Sequence, residues 1–191
     1  MSEGNSKLFH SGVTDGLPDE IARLFALWDT RRKTRILPKR GDFPAEDLKD
    51  WMGNLGVVRL RSGRKRFLVE LAGSMVVHYD GADYTGKFLE DAVPAHALGP
   101  IIEPYDTAIQ HRRPVFARIA PNILRGRFAY FDRLVLPCGD DGETVDRFIV
   151  GIYVSNFDKY QPDIYGDPGA AQISDDGSKA FDADAGSIIV L

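Results

Sequence analysis

Apolar residues recur at every second position in two separate blocks of this chain, and a sequence with that pattern is built for paired strands. In the first block, Gly56 to Leu60 and Arg66 to Ala72 read as strands joined by the polar turn Arg61-Ser62-Gly63-Arg64-Lys65, which makes a hairpin. The second block holds three strands, Pro114 to Ala120, Phe128 to Pro137 and Val145 to Val154, with Gly139-Asp140-Asp141-Gly142 as the turn between the last two. Between the blocks, from Ser74 to about Gln110, the alternation lapses. Gly81, Gly86, Pro94, Gly99, Pro100 and Pro104 punctuate short helical pieces there, of which Ile101 to His111 is the most helical. Two strands, small helices and then three strands in meander predict an α+β fold with an antiparallel sheet. Alternation sets Val115, Ala117 and Ile119 against Phe116 and Arg118. It likewise sets Phe128, Tyr130, Leu134 and Leu136 against Ala129, Phe131, Arg133 and Val135. Both faces are partly apolar, so one is expected under the small helices and the other under the N-terminal helix or a second subunit.

That N-terminal helix starts at Pro18, carries Asp19 and Glu20 in its first turn, and ends on Arg31, Arg32 and Lys33, a charge order that suits the helix dipole. Ile21, Leu24, Phe25 and Trp28 form one apolar stripe, widened by Ala22 and Leu27. The stripe has two uses: packing on its own domain, or forming the interface of a homodimer. Leu37-Pro38-Lys39-Arg40-Gly41 then breaks the chain. Asp42 is placed to cap a helix from Phe43 to Met52, with Phe43, Leu48, Trp51 and Met52 facing inward.

Composition narrows the class further. The chain has 191 residues, 43% hydrophobic and 27% charged, a balance that fits one globular domain able to fold without metal or disulfide. The lone Cys138 excludes an internal disulfide framework and a multi-cysteine zinc site, and it fits a cytoplasmic protein. Apolar runs such as Met75-Val76-Val77 are too short to span a membrane, and residues 1–7 contain no signal-peptide core. Net charge is −4, but Ser155 to Leu191 alone carries −5, leaving the body at +1. The expected organisation is a flexible N-terminus over 1–17, one domain over 18–155, and an acidic C-terminal tail over 156–191. Rich in Gly, Asp, Ser and Ala, the tail is compositionally a poorly packed appendage. Its apolar end, Ile188 to Leu191, is suited to pair along a strand edge.

Several segments carry a family likeness. They are Leu27-Trp28 leading to Leu37-Pro38 and Arg40-Gly41-Asp42-Phe43-Pro44, Arg66-Phe67 leading to Leu71-Ala72-Gly73-Ser74, and Gly81-Ala82-Asp83-Tyr84-Thr85-Gly86-Lys87-Phe88-Leu89. Arg113-Pro114-Val115, Tyr130-Phe131-Asp132-Arg133-Leu134-Val135-Leu136-Pro137 and Asp141-Gly142-Glu143-Thr144-Val145-Asp146 complete the series. In this order and spacing the stretch from about 18 to 155 resembles a PAS domain, in particular a small subfamily of bacterial, often stand-alone, PAS proteins. The resemblance implies a five-stranded antiparallel sheet in the order 2-1-5-4-3, with helices enclosing a cavity on one face. It implies a sensory or signalling module that binds a small ligand or a partner protein, and not an enzyme. Fold alone does not name the ligand.

The residues test the ligand classes that such domains hold. A photoactive flavin domain needs a reactive cysteine in a helix, whereas Cys138 follows Pro137 at a strand end. Haem needs an axial histidine aimed into the pocket, and of His10, His78, His96 and His111 none stands out, His111 sitting at a helix terminus. A carboxylate or other anion would use Arg118 and Tyr130 from strands and His78, Tyr79, Tyr84 and Tyr105 from helices, which are the candidate ligand-binding residues. Asp132-Arg133 and Asp146-Arg147 read instead as cross-strand charge pairs. The near phosphate loop Gly81 to Phe88 ends on a residue with no hydroxyl and is not followed by a long helix. No catalytic or metal motif is present. Basic clusters at Arg31 to Arg40 and Arg59 to Arg66 lack a helix-turn-helix, and with a pI near 5.6 they argue against nucleic acid. No output domain is read in the chain, so an unidentified signalling partner is expected. The alternatives are a ligand-free interaction adaptor and an enzyme using the same cavity.

Overall fold

A computed structural model describes residues 17–61, 63, 66–119, 130–155 and 187–191. Helix α1 spans Asp19–Arg32 and is followed by a 3₁₀ turn at Arg40–Asp42, helix α2 at Ala45–Leu48 and a second 3₁₀ segment at Lys49–Asn54. Strands β1 (Leu55–Arg61) and β2 (Arg66–Ala72) form the hairpin. Helices α3 (Ser74–Asp80), α4 (Leu89–Ala92) and α5 (Ala95–His111) come next, then β3 (Val115–Ile119), β4 (Tyr130–Cys138) and β5 (Arg147–Ser155). A last strand, β6, covers Ser187–Val190. All pairings are antiparallel, in the order β2-β1-β5-β4-β3-β6. The expected five-stranded α+β sheet is therefore present, with the apolar end of the tail added along β3.

Both faces of the sheet are covered by this one chain. On one face α1 brings Ile21, Leu24, Phe25 and Trp28 down onto β4 and β5, and all four are buried. The Trp28 indole N–H donates to the Pro137 carbonyl at 2.8 Å, which fixes α1 along its length as well as its face. Gly151 of β5 makes the close approach possible, since a Cβ there would lie 3.0 Å from a Leu24 methyl. The stripe read as a dimer interface is thus occupied within the protomer.

On the opposite face α3, α4 and α5 pack over β1, β2 and the centre of the sheet. Phe67, Tyr105 and Phe148 meet there with ring centroids 5.0 to 6.1 Å apart. Helix α5 begins well before Ile101 and runs through Pro100 and Pro104. Each proline removes one amide from the ladder, but burial of Ile101, Tyr105 and Ala108 at i, i+4 and i+7 carries the helix across the gaps.

Three local expectations are corrected. Asp42 does not cap the following helix; its carboxylate accepts the Lys39 amide at 2.9 Å and pairs with Arg35. Met52 is 43% exposed, because the segment winds as a 3₁₀ turn that buries Trp51 and swings its neighbour outward. Of Asp146 and Arg147, expected in cross-strand charge pairs, Asp146 instead accepts the Asp140 amide at 2.9 Å and only Arg147 reaches another strand. With Arg59 it converges on Glu70 from adjacent strands.

Gly73 joins β2 to α3 at a point where no side chain fits. A Cβ there would lie 2.3 Å from the Met52 carbonyl oxygen and 2.4 Å from that of Gly53. The Gly139–Gly142 turn is closed by a 3.0 Å backbone bond, with Gly142 at φ +82. Asp141 accepts the Glu143 and Thr144 amides, which hold its carboxyl down at about 2.

Replacing Trp28 with Ala removes the buried indole and leaves the Pro137 carbonyl without its donor. Urea denaturation is expected to show a loss of about 3 to 5 kcal/mol. Gly73→Ala, by forcing apart the start of α3 and the 3₁₀ segment, should lower the thermal midpoint by roughly 5 °C or more, at about 2 to 4 °C per kcal/mol for a chain of this size.

Candidate functional site

The α3–α5 face encloses a cavity of about 40 Å³ between the sheet and the helices. Its walls are apolar, supplied by Val58 and Val69 from the hairpin, Val76, Leu89, Val93 and Ile101 from the helices, and Val150 and Ile152 from β5. Four polar side chains break this lining: Asp80, Tyr84, Tyr105 and Arg133.

Arg133 is the residue that organises the site. It lies between Phe131 and Val135 on the helix-covered face of β4, only 6% exposed, and its Nε and Nη1 have no hydrogen-bond partner. A buried guanidinium with idle donors is costly unless something meets them. Asp80, at the end of α3, is the nearby acid. Burial raises its carboxyl to about 6, against an opposing pull from the Arg133 charge. The α3 helix stops there because Gly81 takes the left-handed conformation, φ 68, that ends a helix. Burial also raises the Tyr84 and Tyr105 hydroxyls above their ordinary value.

The six residues expected to bind a ligand separate into three groups. Tyr84 and Tyr105 line the cavity. His78, Tyr79 and Arg118 do not. His78 is exposed on α3. Tyr79 is buried, but its hydroxyl meets the Asn54 amide at 3.2 Å and its ring packs edge-on to Phe131 at 6.5 Å. Arg118 lies on the other face of the sheet, where it makes a two-pronged ion pair with Asp132 at 2.6 and 2.8 Å. Tyr130 belongs to β4, but its side chain lies outside the described residues.

Sequence reasoning missed Asp80 and Arg133. The sequence places Asp132 and Arg133 in cross-strand charge pairs, and Asp132 does pair across the ladder with Arg118, but adjacent strand residues point to opposite faces and Arg133 lies on the cavity side. The usable signal was an arginine flanked on its own face by Phe131 and Val135.

Gly81 to Phe88 is no phosphate cradle. Gly86 donates to the Val69 carbonyl and Val69 to that of Lys87, so the segment lies against β2 and spends its amides there. The basic clusters are largely engaged as well: Arg31 with Asp47, Arg32 with Asp29, Arg66 with Asp91 and over the Phe88 ring. Among the described residues no three His, Cys, Asp or Glu side chains gather as metal ligands, and no helix is long and apolar enough to cross a membrane.

A second concavity, about 370 Å³, opens where α1 and α5 end, between Phe25, Trp28, Ile36, His111, Arg113 and Leu191.

Sheet order, two-sided covering and a helix-roofed cavity find their counterpart in one family: the PAS domain family model matches residues 18–154. The chain belongs to the PAS domain family. As a PAS domain it is a sensory or interaction module, a class that works by binding and not, in general, by catalysis. No curated protein matches the chain at a significant level.

Cys138 of this PAS domain is fully buried, and burial pushes its thiol up to about 12. The native protein at pH 8 is expected to leave a thiol reagent such as dithionitrobenzoate unreacted, with one equivalent released only on unfolding in guanidinium.

Proposed function

We propose that this PAS domain senses a small anion at the buried Arg133 and reports it to a separate signalling protein. The observation that carries the reading is the Arg133 guanidinium, buried beside a cavity with two of its nitrogens unmet. A cation is retained in such a place at a cost, since an apolar residue of similar size usually serves stability as well or better. The cavity admits roughly three water-sized groups, at about 10 to 15 Å³ each. That suits formate, nitrate or bicarbonate, and it falls well short of the roughly 300 Å³ at which drug-sized ligand pockets begin. Tyr84 and Tyr105 supply hydroxyls that can turn a proton toward the anion. For signalling, the anion has to favour one arrangement of α3 and the sheet over another, because equal affinity for both shifts nothing.

Asp80 gives the reading a pH signature. Its folded pKa of about 6 lies above the ordinary carboxyl value of 3.8, so between these values the folded state holds a proton that the unfolded state has lost. Stability therefore falls as pH rises from about 4 to about 6, by about 2 to 3 kcal/mol, and stays at the lower level above. Asp80→Asn should flatten that limb in urea titrations. An ionised Asp80 also repels an anion at Arg133, so anion affinity should increase as pH drops through 6.

The deciding experiment is a thermal-shift titration with formate and nitrate at pH 5.5 and 7.5, with bicarbonate added at pH 7.5 alone. The expected result is a rise of the midpoint at millimolar anion, larger at pH 5.5 and absent in Arg133→Met. Equal shifts in the variant would overturn the reading. A second reading, a closed-core adaptor that works by docking alone, draws on the smallness of the same cavity. Its mark is no anion response in either protein, together with an Arg133→Met variant at least as stable as the parent.

A further inference from the structure

Strand β6 stands apart from the domain it completes. The family match ends at residue 154, and the five strands within it leave β3 as an edge. Ser187–Val190 cover that edge, pairing Val115 with Val190 and Arg118 with Ser187, after the long connection of residues 156–186. The cover is thin. Ile189 is 48% exposed and Val190 37%, and only Ile188 of the three packs partly against the core. Leu191 behaves differently. It is 2% exposed, its amide donates to the Pro114 carbonyl at 2.9 Å, and its main-chain oxygen accepts from Arg113 Nε at 2.8 Å.

We propose that the β3 edge and the Leu191 seat form a docking groove for an extended aliphatic segment of a partner protein, which residues 187–191 occupy in cis as a displaceable latch. The latch is itself the template for what fits. A strand adding to β3 gains the ladder bonds that any sequence can make, and side-chain selection falls to the one buried position. That position takes a leucine-sized side chain, next to Phe25 and Trp28 at the mouth of the larger cleft. Charge supplies the second criterion. His111, Arg112 and Arg113 ring the end of the groove where Leu191 lies, so a partner segment carrying a carboxylate just beyond its anchor residue is favoured. Arg112 is held in this rim by a left-handed cap, φ 52, at the end of α5. Because the cis segment competes for the same bonds, the groove is available only in proportion to the fraction of molecules with the latch released.

The test uses the full chain and a fluorescent Ser-Ile-Ile-Val-Leu peptide with a free carboxylate. Leu191→Lys sets a cation in the apolar seat beside Arg113, and Ile189→Pro removes a strand amide at an exposed position; either should free the groove. At least tenfold tighter peptide binding by these variants than by the unaltered chain is expected, with several-fold loss when the peptide is amidated. Hydrogen exchange on the unaltered chain is the second measurement, and it needs no variant to fold. The β3 amides facing β6 should exchange at least a hundredfold faster than those between β4 and β5. Peptide binding unchanged in both folded variants, or β3 amides as slow as the sheet centre, would overturn the proposal.

Discussion

Leu134, Leu136 and Ile149 on one face of the central strands, and Val135, Phe148 and Val150 on the other, are all buried almost completely, so β4 and β5 persist as a pair only while helices lie on both sides. Apolar burial of this kind has no direction of its own. What gives it direction is a small number of polar contacts. The Trp28 indole bonded to Pro137 settles where α1 stops along the strands, and the Asn54 amide bonded to the Ile152 carbonyl at 2.8 Å ties the 3₁₀ segment to β5. With α1 on one face, the helical stretch between β2 and β3 has the other to itself, and a cavity under that roof follows from packing irregular short helices on a twisted sheet.

Against this background the arginines of the sheet differ in kind. Arg118 spends its guanidinium on Asp132, and Arg147 joins Arg59 on Glu70; these pairs tie neighbouring strands together. Arg133 serves no such pair. It sits in an apolar wall with idle donors and an acid close enough to feel its charge. Arg118, Arg59 and Arg147 are met by carboxylates on other strands, whereas two Arg133 nitrogens lie buried beside the cavity without a hydrogen-bond partner.

Much of the architecture was legible in the sequence because strand alternation and the 3.6-residue stripe are one-dimensional signals. The hairpin and the meander come from spacing, the Gly139–Gly142 turn from its residue types, and the edge pairing near Ile188 to Leu191 from a short apolar run. The site was legible in half. Tyr84 and Tyr105 fall in the helical stretch that any roof must use. Arg133 escaped because it was grouped with Asp132 as a cross-strand charge pair, while in space the ladder sends the two to opposite faces and only Asp132 finds such a partner. His78 and Tyr79 show the converse: on a helix of seven residues, a small error in phase exchanges the cavity-lining Val76 and Asp80 for an exposed His78 and for a Tyr79 buried against Asn54 and Phe131. Proline likewise misled at α5, where tertiary burial outweighs two missing amide donors.

The contact at Gly73 has a mechanical meaning. Backbone touches backbone there, leaving no compressible side chain between the start of α3 and the carbonyls of Met52 and Gly53. Trp51, in the same turn, donates its indole N–H to the Glu20 carbonyl of α1 at 2.9 Å. A tilt of α3 therefore has no slack to absorb it before the 3₁₀ segment, and the first turn of α1 is the next body in line. Two helices on opposite sides of the sheet are geared to each other around its rim rather than through its middle.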